Sequence, residues 1–274
     1  MKKQLYLFIF LFSLNSCKKK EFSIQNLNGN KITVLGHGGM GIDSNYPMNS
    51  YEAILKCLNL GADGTEFDVQ MTMDSVLVLY HSEDLSDETN IKGKIHSMNW
   101  NEVKHAIYNE TPYLKYSIRS LDQIFEGLND LHNYQFTFDC KLYTNSINLN
   151  LYYRTYINAV LKTLKKYQIQ DKVYIESSIK DFLTMFRNIN HESRLFINPP
   201  NFETGLSIAS TEGFYGITIS NRNITQDQIR IAHANQLRVA VWNVHSRSDN
   251  IEAVKKNPDF IQTDNVKSLV RLLK

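Results

Sequence analysis

The sequence lacks the features that several common protein classes require. Its 274 residues include three cysteines and five prolines, too few for a disulfide scaffold or a proline-rich linker. It contains no glycine-rich phosphate loop followed by Lys-Ser or Lys-Thr, no nucleophile elbow and no His-Glu-x-x-His. Its longest apolar run, between Leu5 and Leu14, is shorter than the roughly 20 residues that cross a bilayer. These absences exclude several well-known kinds of active site.

The first residues instead predict export. Lys2 and Lys3 precede the apolar run, the order expected of a signal peptide at residues 1–16. The run closes on Leu14-Asn15-Ser16-Cys17, which resembles a bacterial lipobox, although Asn15 is unusual at its position. We expect Cys17 to be lipidated, which predicts a bacterial membrane-anchored lipoprotein on the periplasmic or cell-surface side. The alternative is cleavage nearby, with Cys17 as an ordinary thiol.

The charge balance argues against a nucleic-acid partner. The net charge is +2, and removal of the predicted signal peptide takes away two lysines, so the mature chain is formally neutral. Residues 17–30 are predicted to form a tether, and residues 31–274 one large domain. Cys57 and Cys140 lack the spacing of a zinc site. A disulfide between them is possible, but their apolar surroundings favour packing as small hydrophobic side chains.

Beyond the tether, apolar runs rich in β-forming residues alternate with segments of helical spacing. The strand candidates are Ile32–Leu35, Gly64–Gln70, Val76–Tyr80, Tyr134–Cys140, Val173–Glu176, Leu195–Ile197, Gly216–Ser220, Arg238–Trp242 and Phe260–Thr263. The helix candidates are Ser50–Leu60, Leu121–Leu131, Leu149–Tyr167, Ile179–Asn188, Thr225–Asn235 and Ser248–Lys255. This alternation predicts an α/β fold, a (β/α)8 TIM barrel.

Two details of this barrel stay open at the sequence level. There is one strand candidate too many, so one is peripheral or false, and Leu195–Ile197 is the weakest of them. The alternation also lapses between His81 and Leu121, after the third strand. This charged interval is predicted to be an insertion or lid over one mouth of the barrel.

Polar side chains stand where the barrel frame places an active site, at the carboxyl ends of strands. Glu66 and Asp68 lie two apart on one strand, so their side chains point to the same face. Two ionised carboxylates side by side in a dry core would be very costly. A divalent cation, Mg²⁺ or Ca²⁺, resolves the conflict because both prefer oxygen ligands.

Three neighbouring strand ends carry further polar groups. His37 follows the first strand among glycines, and His81 follows the third. Asp139 and Lys141 end the next strand, where they can supply another carboxylate ligand and a phosphate contact. Alone, a histidine beside glycines is more often a turn residue, and a Glu-x-Asp pair is as often a solvated strand edge. Their joint placement favours metal-assisted phosphodiester cleavage.

The motifs resemble those of the glycerophosphodiester phosphodiesterase family. That family has His-Arg-Gly, Pro-Glu-Asn-Thr/Ser, Glu-x-Asp, His-Asp and Glu-x-Lys, in this order. The corresponding segments here are His37-Gly38-Gly39, Pro47-Met48-Asn49-Ser50, Glu66-Phe67-Asp68, His81-Ser82 and Asp139-Cys140-Lys141. Val239–Val244 and Asp259–Asp264 resemble the last two strands of the family. The similarity spans nearly the whole predicted mature domain.

The resemblance implies a role for each matched residue. His37 and His81 become the acid-base pair, and Glu66, Asp68 and Asp139 the ligands of a divalent cation. Lys141 and Asn49 become contacts to the substrate phosphate, and Trp242 a wall of the substrate pocket. The implied substrate is a small or lipid-derived phosphodiester. Which histidine is the acid does not follow from the sequence.

Three positions depart from the family pattern. Gly38 replaces an arginine, Met48 a glutamate and Ser82 an aspartate. Loss of the arginine removes a bidentate phosphate clamp, and loss of the glutamate removes a negative charge, so these two changes can compensate. We therefore expect this divergent His-Gly-Gly variant to keep the metal and acid-base groups while its recognition of the head group has shifted.

Two other functions remain open. A phospholipase D of the sphingomyelinase type also combines two histidines with Glu-x-Asp and Asp-x-Lys, which Asp139 fits. A degenerate lipoprotein barrel that only binds a phosphorylated ligand is the second, although a binding module has no need of two acid-base groups. The remaining histidines, His245 among them, have no spacing that raises them above surface or packing residues.

Overall fold

The computed structural model describes residues 22–42 and 44–274. The predicted signal peptide, the predicted lipidation site Cys17 and the first part of the predicted tether lie outside the described residues. From Phe22 onward, the tether segment lies against the barrel, because Asn26 donates to the carbonyl of Pro258 and Asn28 to Thr33 Oγ1. In the described part of the chain, no helix combines the length and apolarity needed to cross a membrane.

The strands form a closed parallel barrel, which confirms the predicted fold class. They are β1 (Thr33–Gly36), β2 (Gly64–Met71), β3 (Leu77–Leu79), β4 (Gln135–Cys140), β5 (Val173–Ser177), β6 (Arg194–Ile197), β7 (Gly216–Ser220), β8 (Arg238–Val244) and β9 (Phe260–Thr263). All but β3 pair in parallel with their neighbours, and β1 pairs with both β2 and β9. This last contact closes the barrel.

The extra strand is β3, which pairs antiparallel with the far end of β2 and stays outside the barrel. The expectation that one strand candidate is peripheral is therefore confirmed. The choice of Leu195–Ile197 as the weakest was wrong, because β6 is a full barrel strand between β5 and β7. Short parallel strands buried on both faces carry too few residues to reveal a period.

All but one of the α-helices in the described residues cover the outside of the barrel, and the exception, Trp100–Val103, packs within the segment that follows β3. The helices are α1 (Tyr51–Asn59), α2 (Trp100–Val103), α3 (Leu121–Gly127), α4 (Leu149–Tyr167), α5 (Lys180–Ile189), α6 (Phe202–Glu212), α7 (Gln226–Ala234), α8 (Arg247–Lys256) and α9 (Val266–Leu273). Ser50 caps α1 by accepting a hydrogen bond from the Ala53 amide. α3 ends four residues before the predicted Leu131. The sequence analysis missed α6, which contains Gly205, and the short α9.

The core lies mostly between the barrel and the helices. Phe67, Phe136 and Phe138 point outward from β2 and β4 and pack with Phe125 of α3. Cys57 and Cys140 are free and buried in this layer, as small hydrophobic residues would be. Since alternate residues of a strand face opposite sides, the outward-facing phenylalanines turn Glu66 and Asp68 into the barrel.

The interval between β3 and α3 is an insertion with its own small core, built around residues such as Leu85, Ile95 and Val103. Two of its tyrosines reach the loop that follows β1. The Tyr108 hydroxyl donates to the Met48 carbonyl over 3.1 Å, and the Tyr113 hydroxyl to the Ser44 carbonyl over 2.7 Å. The insertion is thereby attached beside the mouth of the barrel.

Candidate active site

Three carboxylates meet at one end of the barrel. Glu66 and Asp68 lie on β2, and Asp139 on β4 is in direct register with Asp68. One oxygen of each side chain lies within 4.8 Å of the other two. The expectation that these side chains share a face is met, and together they form a candidate site for a metal ion.

The electrostatics of this group favour a cation. Burial raises the pKa of Glu66 well above its usual value, and the charge of Asp68 raises it further. Burial also raises the pKa of Asp139. Burial would raise the pKa of Asp68 too, but the charges of Lys141, His81 and His37 outweigh it and lower that pKa. Two buried carboxylates and a third, partly exposed one, with one lysine nearby, fit a divalent cation held by oxygen ligands.

Lys141 lies among these carboxylates. Its Nζ is 3.0 Å from Asp68 Oδ1 and 2.5 Å from Asp139 Oδ2. Burial would lower the pKa of this ammonium, but Asp68 and Asp139 raise it above the usual range. Lys141 is therefore charged at neutral pH, and it offsets part of the negative charge at the site. Its role as a phosphate contact stays a prediction.

Asn49 holds Asp68 in place. Its Nδ2 donates to Asp68 Oδ2 over 2.7 Å, and its Oδ1 accepts from the Asp68 amide over 3.0 Å. Asn49 has a φ of +64°, a backbone conformation that asparagine tolerates better than most residues. The side-chain amide of Asn49 thus orients the carboxylate of Asp68. A contact between Asn49 and the substrate phosphate stays a prediction.

The departures Gly38 and Met48 lie in contact with each other. A Cβ added to Gly38 would lie 2.7 Å from Met48 Cε, and Gly38 has a φ of +52°. The Gly38 amide donates to Glu66 Oε2 over 2.8 Å. A larger side chain at position 38 would collide with Met48, so it would also require a different side chain at position 48. The side chains at positions 38 and 48 therefore share one space in this structure.

His37 forms part of a chain of polar groups across the barrel mouth. Its Nδ1 lies 2.7 Å from Asp264 Oδ1, and the other oxygen of Asp264 contacts Nδ1 of His245. Burial would lower the pKa of His37, but the hydrogen bond with Asp264 and the charges of Glu66, Asp264 and Asp68 raise it to about 9. His37 thus carries a proton at neutral pH in the metal-free protein.

His37 and His81 line the same pocket, which has a volume of about 250 Å³. His81 is exposed and directly follows Tyr80, at the start of the insertion. The third departure, Ser82, donates through its hydroxyl to Glu88 Oε1 over 3.1 Å, and Glu88 also lines the pocket. A carboxylate from the insertion therefore lies near the position where the family has aspartate.

Trp242 lies on β8 and does not line this pocket. Its indole Nε1 is buried and has no hydrogen-bond partner within the described ranges. The prediction that Trp242 forms a wall of the substrate pocket stays a prediction.

The sequence analysis missed three residues of this site. Asp264 directly follows β9, and His245 directly follows β8, so the strand-end rule that selected Asp139 selects them too. The sequence analysis treated His245 as a surface or packing residue, whereas in the structure Asp264 joins it to His37. Glu88 lies inside the insertion, where no periodic pattern indicates which side chains face the barrel.

Comparison with known proteins gives a consistent result. Residues 40–268 match the model of the "Glycerophosphoryl diester phosphodiesterase family". A glycerophosphodiester phosphodiesterase of Bacillus altitudinis is 27% identical over 235 residues, which cover 82% of this chain and 91% of the relative. One from Caldanaerobacter subterraneus is 25% identical over 255 residues, with 89% and 98% of the two chains covered.

Solved structures share the fold. An Oleispira antarctica phosphodiesterase, determined with the product sn-glycerol-3-phosphate, superposes with a TM-score of 0.74 at 16% identity, over 89% of this chain and 97% of the other. A glycerophosphodiester phosphodiesterase from Parabacteroides distasonis gives a TM-score of 0.73 at 21% identity, over 88% and 97%. At these identities the likeness concerns the barrel architecture alone.

Proposed function

Because the chain belongs to the glycerophosphoryl diester phosphodiesterase family, whose members are phosphoric diester hydrolases, we propose that it hydrolyses glycerophosphodiesters or related lipid-derived phosphodiesters. The observation that carries the proposal is one cluster of three carboxylates next to a pocket lined by two histidines. These are the groups that cation-assisted phosphodiester hydrolysis requires.

The carboxylates Glu66, Asp68 and Asp139 would hold the divalent cation, Mg²⁺ or Ca²⁺. A cation held there supplies Lewis-acid polarisation of the phosphoryl oxygens and offsets negative charge in the transition state. The fit rests on two features of the chain. The ligand oxygens converge, and burial, together with the charge of the neighbouring Asp68, raises the pKa values of Glu66 and Asp139, which a bound cation would offset.

The histidines move the protons. Asp264 accepts from Nδ1 of His37, which directs Nε2 of that ring to the substrate. Because Asp264 holds this ring in one orientation, we assign to His37 the proton that goes to the leaving alkoxide oxygen. His81, on the same pocket, takes the proton from the attacking water or substrate hydroxyl. In this proposal Lys141 contacts the phosphate, Asn49 contributes while it holds Asp68, and Trp242, outside the pocket on β8, would meet only a part of the substrate that extends beyond the pocket.

The cell location forms part of the proposal. A signal peptide at residues 1–16 and a lipid on Cys17 would hold the barrel at a membrane surface, near lipid-derived diesters. Labelling of the expressed protein with a fatty-acid probe, compared with a Cys17→Ala variant, tests this assignment. A label that does not depend on Cys17 would overturn it.

The activity is tested with purified domain, several glycerophosphodiesters and either Mg²⁺ or Ca²⁺, with products followed by phosphorus NMR. We expect cation-dependent release of glycerol phosphate, lost in His37→Ala and retained in His132→Ala, which alters a histidine far from this site in sequence and outside the pocket. Phosphate left on the lipid moiety as a cyclic diester would instead support the sphingomyelinase D alternative. Absence of turnover on every diester would leave only a binding role.

A further inference from the structure

The pocket beside the two histidines has a second wall that the hydrolytic reaction does not require. This wall combines Met48, from the loop after β1, with three residues of the insertion: Glu88, Tyr108 and Tyr113. The whole pocket measures about 250 Å³. Ligand pockets for drug-sized molecules usually begin near ~300 Å³, so this space suits one small chemical group beside the phosphate.

Glu88 is the charged group of this wall. Burial raises the pKa of Glu88, and the nearby carboxylates of Asp68 and Glu110 raise it further, while Ser82 and His81 lower it. Among the residues that the structure describes, no lysine or arginine forms an ion pair with Glu88. Glu88 is half-buried, and partial removal of a carboxylate from water is unfavourable unless a cation offsets its charge.

The two tyrosines offer rings to the pocket and turn their hydroxyl groups elsewhere. Both hydroxyls donate to backbone carbonyls of the loop after β1, at Met48 and Ser44. The ring centroids are 6.5 Å apart, and the ring planes meet at 74°. Two rings near a right angle form a corner, and an aromatic corner beside a carboxylate is the arrangement that binds substituted ammonium ions.

We propose that Glu88, Tyr108 and Tyr113 form a subsite for a cationic head group, the ammonium of an amino alcohol esterified to the phosphate. This inference rests on the proposed function, because the catalytic pair must hold the phosphate beside the subsite. Glu88 supplies the opposite charge, the rings supply π faces, and Met48 contacts the apolar part. Met48 lines the pocket, and the Ser82 hydroxyl donates to Glu88.

A different role for Glu88 makes a different prediction. Through Ser82, the carboxylate would only support His81, in place of the aspartate that the family has after this histidine. Loss of such support slows every substrate by the same factor. Loss of a cation subsite instead lowers the activity toward charged head groups relative to neutral ones.

The kinetic test compares the ratio of kcat/KM for sn-glycerophosphocholine to kcat/KM for sn-glycerophosphoglycerol. In Glu88→Gln we expect this ratio to fall roughly tenfold, because the cation–carboxylate contact is lost while the two tyrosine rings remain. The matched control is Glu110→Gln, which removes the same charge from an exposed residue of the insertion outside the pocket. It should leave the ratio unchanged. A ratio that is also unchanged in Glu88→Gln would overturn the subsite.

A binding measurement separates the subsite from the reaction. Choline is titrated into the full folded domain and followed by NMR, alongside the neutral isostere in which carbon replaces the quaternary nitrogen. We expect choline to bind to the wild type and roughly tenfold more weakly to Glu88→Gln, and the isostere to bind to both proteins more weakly than choline binds to the wild type. Choline binding without hydrolysis would contradict the proposed function and keep the subsite. If the enzyme hydrolyses the diesters but binds choline and its isostere equally, the proposed function stands and the cation subsite is overturned.

Discussion

Asp264 Oδ1 lies 2.7 Å from Nδ1 of His37, although the two residues are 227 positions apart in the chain. They meet because β1 and β9 are neighbours in the closed barrel, and each residue directly follows its strand. Asp264 is buried, and the pairing lowers its pKa although burial acts in the opposite direction. The pair therefore keeps Asp264 ionised and His37 protonated over the neutral range.

Replacement of Asp264 by asparagine should lower the pKa of His37 from about 9, because the hydrogen bond and one of the charges that raise it are lost while burial remains. The His37 ring signal in a chelator-treated sample, followed by NMR through a pH titration, measures this change. We also expect kcat to fall by roughly 100-fold or more, the usual contribution of acid-base catalysis. An unchanged titration would show that Asp264 does not control His37.

His245 should have a smaller effect than Asp264. Its Nδ1 contacts the second oxygen of Asp264, and its Nε2 lies 2.5 Å from Asn243 Oδ1. His245 therefore orients Asp264 through a different oxygen from the one that contacts His37. We expect His245→Ala to lower kcat more than His245→Asn, which keeps a donor. His233→Ala is the control, since it breaks a histidine–aspartate contact with Asp259, next to the start of β9. Equal losses in all three variants would contradict this role.

Glu176 should make stability depend on pH. It lies inside the barrel, where its Oε2 accepts from Thr218 Oγ1 over 2.9 Å and from Gln262 Nε2 over 3.0 Å. Burial, and then the charge of Asp139, raise its pKa from 4.5 to about 8. Because the folded state holds the proton more tightly, this stabilisation is complete below the unfolded pKa and is lost as pH rises through about 8.

Urea denaturation of chelator-treated protein near pH 5 and near pH 9 tests whether the free energy of unfolding falls as the pH rises. The wild type should lose more stability over the interval than Glu176→Gln, which keeps an acceptor oxygen and cannot ionise. Parallel curves for the two proteins would mean that Glu176 does not titrate within the interval.

Tyr156 links α4 to the strand that carries the site. Its hydroxyl donates to the Val69 carbonyl over 2.7 Å, and the same carbonyl accepts from the Lys141 amide over 2.8 Å. Tyr156→Phe should lower the free energy of unfolding by about 1 kcal/mol, since the carbonyl keeps its other donor. Tyr51→Phe, which removes an exposed hydrogen bond to Gly127, should cost less. The reverse order in urea denaturation would contradict the argument.

The architecture was predictable because it depends on local patterns. Alternating apolar strands and amphipathic helices indicate a barrel, and the strand-end rule then selects His37, Glu66, Asp68 and Asp139. The antiparallel direction of β3 was not predictable, since a short apolar run has the same appearance in either orientation. α6 escaped prediction because Gly205 and its polar neighbours give a weak helical signal.

The partners of these residues were harder to predict. Asp264 and His37 are brought together by closure of the barrel, which no local pattern records. The sequence placed Gly38 and Met48 ten residues apart, and only the structure shows that they occupy neighbouring space. Glu88 lies in an irregular segment, so the side to which its side chain points depends on how the insertion packs.

The location of a bound cation tests the central claim most directly. Crystals of the domain grown with Mn²⁺ in place of Mg²⁺ would reveal the ion by its anomalous scattering. We expect one strong peak within coordination distance of Glu66, Asp68 and Asp139, next to the pocket with His37 and His81, and no such peak in Asp68→Asn. An ion bound elsewhere, or no ion in an enzyme whose activity depends on the metal, would contradict the account.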